Sequence, residues 1–240
     1  MKAFPNYKLI LLPGLDGTGM LFEPFRSAFL DQSMLQVISY PVNQELNYDE
    51  LAQIVRKQLP KSEKFILLAE SFSGPVAARF QDHPQLIATI FCASFVKSPR
   101  PFISQLIKYL PISPLVQIPC PAFVLRLLCL GWRCPKSIID LFYKTLRAVD
   151  PKVLAYRLRM LANVDELSCI ASSSKPICCL VPTRDRLVPM RCAGEIERVG
   201  GNVTFKLVKG RHFLLQSSPI EAIASLKKFL RGLEGRSLSS

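Results

Sequence analysis

Ser71 stands where an apolar, strand-like run stops in KFILLAESFSGPVAARF, residues 64–80, and a helix-compatible pattern begins. A serine at a strand-to-helix turn can act as a nucleophile when small residues lie two positions before and after it. The tight turn brings those positions against the neighbouring strand and helix. Ala69 and Ser73 meet that demand around Ser71. Ser73 as the nucleophile would put Ser71 and Pro75 at the flanks and lengthen the strand by two polar residues, so Ser71 is the better candidate. The plain alternative is that both serines cap a helix by accepting from first-turn amides.

A serine nucleophile needs a base, and the chain offers two histidines, His83 and His212. His83 follows the helix that would start beside Ser71; at about 1.5 Å per residue it falls well over ~10 Å away and reads as a helix-terminal surface residue. His212 lies in VKGRHFLLQSSP, directly after the last strand-like run. In a parallel sheet all strand ends point one way, so that loop would open at the same edge as Ser71; the alternative is a loop histidine bonded to backbone. A third group must orient the imidazole and stabilise its charged form. Asp185, in LVPTRDRLVP, is that candidate, and Arg184 and Arg186 would favour its ionised form if turned toward it. As an ordinary turn residue it would need no such role. The chain order Ser, Asp, His at three strand ends points to acyl transfer.

The oxyanion of such a reaction needs two backbone donors. One is expected from the amide of Phe72, the residue after the nucleophile, and the other from Leu15 in LLPGLDGTGM, where glycines let the backbone turn sharply. The spacing there is G-x-x-G-x-G, with no Gly-Lys-Ser/Thr after it, which argues against a nucleotide cradle.

These residues need a scaffold. Strand-like runs occur at 8–12, 35–40, 64–69, 86–94, 175–182 and 203–208, and read as fully buried. Helical patterns follow at 47–59, 74–82, 190–199 and 219–233, and the alternation predicts an α/β fold with a mainly parallel sheet of about six strands covered on both faces. Between the fourth and fifth runs the alternation stops. Residues 97–160 instead give proline-broken helical pieces, PFISQLIKYL, PAFVLRLLCLG, PKSIIDLFYKTLRAV and PKVLAYRLRML, expected to form a helical cap over the sheet's C-terminal edge. The core is then 1–96 and 161–240, with a frayed tail at RGLEGRSLSS.

Composition narrows the class. Eight cysteines in a chain of 240 residues, several within apolar runs, read as buried thiols rather than staples. Neither histidine has a partner at metal-ligand spacing, so no metal or cofactor is implied. The N-terminal apolar run is too short for a signal sequence and no window supplies the roughly 20 apolar residues of a spanning helix, so a cytoplasmic location is expected. Of the net charge of +13, an excess of nine falls in 97–160, where eleven basic residues face Asp140 and Asp150. That basicity is either the solvated face of amphipathic helices or an attractor for an anionic handle: acyl carrier protein, a coenzyme A thioester or an anionic membrane surface. Nucleic acid fits less well, for lack of aromatic-interleaved basic strands.

With LPGLDGTG (12–19), LAESFSG (68–74), PTRDRLVP (182–189) and GRHF (210–213) in that order, the chain resembles the α/β-hydrolase superfamily. The likeness spans about 8–96 and 172–234, with an insertion where that family carries a cap. Ala69 and Ser73 stand where the family's elbow has glycines, and PGLDG replaces a frequent His-Gly pair. The GLDGTG loop looks like that of small carboxylesterases and of some lipid acyltransferase-like members. The resemblance implies a serine carboxylesterase acting on short- to medium-chain esters through an acyl-enzyme on Ser71. The alternatives are an acyl thioesterase, acyltransferase or carrier-linked esterase that uses the basic cap, and a non-catalytic binding protein on the hydrolase fold.

Overall fold

Six apolar runs form six strands: β1 (Tyr7–Leu12), β2 (Leu35–Val37), β3 (Lys64–Glu70), β4 (Leu86–Cys92), β5 (Ile177–Pro182) and β6 (Val203–Val208). The structure is a computed structural model that describes residues 7–102, 105, 110, 112–118 and 120–237, with side chains as far as Leu233. All strands are parallel, in the order β2-β1-β3-β4-β5-β6. Register aligns their C-terminal ends, Leu12 with Ala69 and Ala69 with Phe91. The loops that begin at Pro13, Ser71, Ala93, Thr183 and Lys209 therefore leave one edge of the sheet.

Side chains alternate between two apolar layers, as strand geometry requires. Ile10, Leu67, Ala69, Phe91 and Cys179 face one layer, with Leu51 and Val55 of the Tyr48–Gln58 helix and Ile196 of the Arg191–Val199 helix. Leu9, Leu11, Ile66, Leu68 and Ile90 face the other, covered by Phe25 and by Leu226, Phe229 and Leu230 of the Pro219–Ser237 helix. The Tyr48–Gln58 helix starts on a capping box: the Asn47 side chain accepts from the Asp49 and Glu50 amides while Glu50 accepts from the Asn47 amide.

Four expectations change. Strands β2 and β6 are half-exposed, because each ends the sheet and is covered less than the interior strands. The helix expected at 74–82 stops at Ala78. The Pro219–Ser237 helix continues well into the segment expected to fray. His83, rather than ending a helix at the surface, packs half-buried against Phe65, with ring centroids 5.0 Å apart. Phe65 is at the start of β3 and Ser71 follows its end, so His83 is at the opposite edge, about 20 Å away at 3.3 Å per strand residue. Burial, with Arg56 adding to it, lowers its pKa.

Between β4 and β5 the described chain forms short helices at Ile112–Leu115 and Ala122–Leu125, a π-turn at Arg126–Leu130, and longer helices at Lys136–Arg147 and Pro151–Met160. Most of PFISQLIKYL lies outside the described residues. This segment touches the strand-end loops at several places: Arg100 donates to the Arg186 and Leu187 carbonyls after β5, and the Asp150 amide donates to the Val42 carbonyl after β2 at 2.9 Å. The Phe213 amide donates to the Cys129 carbonyl at 3.1 Å and Phe213 packs edge-on against Phe142. Arg157 reaches the loop after β1. All eight cysteines are free and six are buried; burial pushes the Cys129 thiol up to about 12, so these groups serve as packing. Among the described residues no helix is long and apolar enough to cross a membrane.

Candidate active site

β3 ends at Glu70, and Ser71 enters the next turn with φ 47°. That left-handed conformation is uncommon for a residue with a Cβ, and such strain gathers at functional turns. The surroundings fix it. The Ser94 hydroxyl donates to the Ser71 carbonyl at 2.6 Å. A Cβ on Gly74 would fall inside the Phe95 carbonyl oxygen and the Ser94 hydroxyl, so the helix that follows the turn approaches the β4 loop as only glycine permits. Ala69 and Ser73 are both fully buried. The Ser73 hydroxyl donates to the Pro13 carbonyl, which leaves the Tyr40 hydroxyl to donate to Ser73 Oγ at 2.6 Å. Serine in place of the elbow glycine thus ties the elbow to the loop after β1.

The three sequence candidates meet. His212 Nε2 lies 3.0 Å from Ser71 Oγ, and His212 Nδ1 lies 2.8 Å from Asp185 Oδ2. An aspartate opposite Nδ1 places the imidazole proton there and turns the Nε2 lone pair toward the serine. The other Asp185 oxygen accepts the Leu187 and Val188 amides at 2.8 and 2.9 Å. The loops are joined by backbone bonds from Thr183 to the Val208 carbonyl and from Arg184 to the Gly210 carbonyl. Both side chains are buried, His212 at 6% and Asp185 at 3% exposure, so water competes little for these bonds. Arg184 and Arg186 are exposed and neither pairs with Asp185; backbone amides, not the flanking cations, hold that carboxylate.

The loop after β1 is held at every carbonyl from Pro13 to Thr18. Ser73 takes Pro13, and the Gly17 amide takes Gly14 at 3.1 Å. Arg157 takes Leu15 and Asp16 at 3.0 and 2.7 Å. The Tyr40 amide takes Gly17 at 2.7 Å, and Ser39 Oγ takes Thr18 at 2.7 Å. Leu15 and Phe72, the expected oxyanion donors, sit in this loop and in the elbow that Ser73 joins to it.

Sequence reading missed two groups. Glu70, directly before Ser71, is buried at 3% exposure and accepts from Gln216 Nε2 at 3.0 Å. Burial raises its pKa to about 7, with Gln216 opposing, the Asp16 carboxylate adding and His212 opposing. A carboxyl closing an otherwise apolar strand was the available signal. Arg157, counted among the basic residues of 97–160, is 1% exposed. It follows Val153 and Leu154 at helical spacing on the buried stripe of its helix, a position from which it points inward.

Among the described residues no group of three or more His, Cys, Asp or Glu could hold a metal ion. No protein-family model and no curated protein sequence matches the chain. Solved structures do. A thermophilic esterase from Thermogutta terrifontis is 18% identical, with a TM-score of 0.75 over 95% of this chain and 90% of that one. MenH from S. aureus is 17% identical, with a TM-score of 0.73 over 95% of each chain. A bromoperoxidase from Bacillus anthracis is 16% identical, with a TM-score of 0.73 over 94% of this chain and 92% of that one. Proteins so different in name share with this chain a backbone path and strand order rather than one chemistry, and that path makes this an α/β-hydrolase fold.

Proposed function

We propose that the protein is a serine hydrolase that cleaves short- to medium-chain carboxylic esters through an acyl-enzyme on Ser71. The observation that carries this reading is the continuous contact from Asp185 through His212 to Ser71 Oγ. Ser71 Oγ attacks the ester carbonyl as His212 Nε2 takes its proton, and Asp185 stabilises the imidazolium through Nδ1–H. The Leu15 and Phe72 amides receive the oxyanion. The intermediate collapses as His212 protonates the departing alcohol; water, activated by the same imidazole, then releases the acid. Residues 97–160 act as a cap whose apolar side chains line the acyl site. An esterase among the structural neighbours is consistent with this substrate class.

A second reading has the acyl group arriving as a thioester or on an anionic carrier. Arg133, Lys136, Lys144, Arg147, Lys152 and Arg159 favour it: all six are exposed on the segment that would form the cap. Salt-sensitive activity toward carrier-linked but not soluble esters distinguishes it.

The deciding experiment is fluorophosphonate labelling of the wild-type protein and of Ser71→Ala, followed by hydrolysis of p-nitrophenyl acetate, butyrate and octanoate. Labelling that vanishes in the variant, with turnover of the shorter esters, supports the esterase. An unlabelled wild type refutes a working triad.

A further inference from the structure

The loop after β1 is shaped by a residue 142 positions away. Gly14 to Gly17 form a turn closed by the Gly17 amide on the Gly14 carbonyl at 3.1 Å. Asp16 is not among the left-handed residues, so the turn is of type I rather than type II, and a flip of its central peptide would force Asp16 to positive φ. The carbonyls of that central peptide and of the next, Leu15 and Asp16, both accept from Arg157 Nη1, while Nη2 donates to the Pro41 carbonyl at 2.8 Å. The Leu15 N–H is trans to the Gly14 carbonyl on one planar peptide. Whatever keeps the turn closed therefore also aims that N–H.

Arg157 is an expensive way to hold a loop. Its guanidinium is buried, with the Tyr40 ring 5.7 Å from Cζ and no carboxylate paired with it among the described residues. A charge so placed costs desolvation that an apolar side chain would not. Gly17 makes room for it: a Cβ there would lie 2.9 Å from Arg157 Cζ, and the residue already needs φ 73°. The charge, the vacant Cβ position and two of the three backbone acceptors converge on one turn, and the third acceptor, the Pro41 carbonyl, ties it to the loop after β2. From this we infer that Arg157 is a positioning residue for the oxyanion site. It anchors the Leu15 amide from the Pro151–Met160 helix, so that the site is complete only when the segment between β4 and β5 is docked. This rests on the serine-hydrolase reading above.

The test uses Arg157→Lys and Arg157→Ala, with kcat expressed per site titrated to completion by the fluorophosphonate, so that unfolded protein does not count. Lysine keeps the charge but cannot reach three carbonyls with a planar fork. Expected for Arg157→Lys is a fall in kcat of roughly ten- to a hundredfold with KM nearly unchanged, part of what losing an oxyanion donor costs. Affinity for a trifluoromethyl ketone, which adds the serine to form an oxyanion, falls by the same factor. For Arg157→Ala, millimolar guanidinium restores kcat and equal urea does not. Titrated sites that turn over at the wild-type rate in Arg157→Lys overturn the inference, as does a KM rise that accounts for the whole loss. If the wild type does not label, the serine-hydrolase reading has failed instead.

Discussion

Glu70 offers the sharpest test of how the site is built, because its chemistry is separable from the triad's. The groups facing it are Asp16 from the loop after β1, Gln216 from the Leu214–Ser217 turn, His212 and Cys92. An ordinary value of 4.5 raised to about 7 means that the native state holds a proton the unfolded chain releases. The associated stability is complete below pH 4.5, declines as pH rises through the interval, and is gone above 7, a loss of roughly 3 kcal/mol at about 1.4 kcal/mol per pH unit. Glu70→Gln removes the titration but keeps an acceptor for Gln216 Nε2, and its amide can donate to Gln216 Oε1, which is buried without a partner among the described residues. The variant should therefore gain on the wild type by roughly 3 kcal/mol between pH 4.5 and 8. Urea unfolding at several pH values measures this, followed by circular dichroism because the single tryptophan, Trp132, is 61% exposed and reports poorly on the core. A difference between the two proteins that stays flat with pH refutes the reasoning.

Asp185→Asn keeps an oxygen for the Leu187 and Val188 amides, so the loop should fold, but its amide nitrogen would face His212 Nδ1 and favour the wrong tautomer. Expected is a kcat loss of about 10³–10⁴ with little change in Tm; a variant within tenfold of wild type by steady-state assay contradicts the role of Asp185. Gly74→Ala drives a methyl into the Phe95 carbonyl and the Ser94 hydroxyl. Overpacking of this kind costs about 1–3 kcal/mol, or roughly 2–12 °C in Tm for a chain of this size. Because Ser94 also holds the Ser71 carbonyl, fluorophosphonate labelling should slow along with the melting shift; unchanged labelling with a lowered Tm would separate packing from positioning.

Much of the scaffold is legible in the chain because interior parallel strands are unbroken apolar runs. KFILLAE and ICCLVP need no partner to be recognised. The edge strands are less clear, since VTFKLV is rich in β-branched residues but is covered less well and stays half-exposed. The elbow helix misleads for another reason: GPVAARF continues in helix-compatible residues, yet the chain turns after Ala78 and buries Phe80 and Gln81. Tertiary packing overrides a weak local preference.

From the sequence alone came the sheet's strands, the inserted helical segment and three polar residues placed just past β3, β5 and β6. Local pattern carries all of these: apolar period, small residues around a serine, a histidine and an aspartate each in a loop. Only the tertiary structure decides contact. It puts His212 between Ser71 and Asp185, turns Arg184 and Arg186 to solvent, and buries Arg157 under the loop that carries Leu15. The physical reason is that a side chain's neighbours across 142 residues depend on strand order and on which layer a helix covers. Neither leaves a mark in local periodicity.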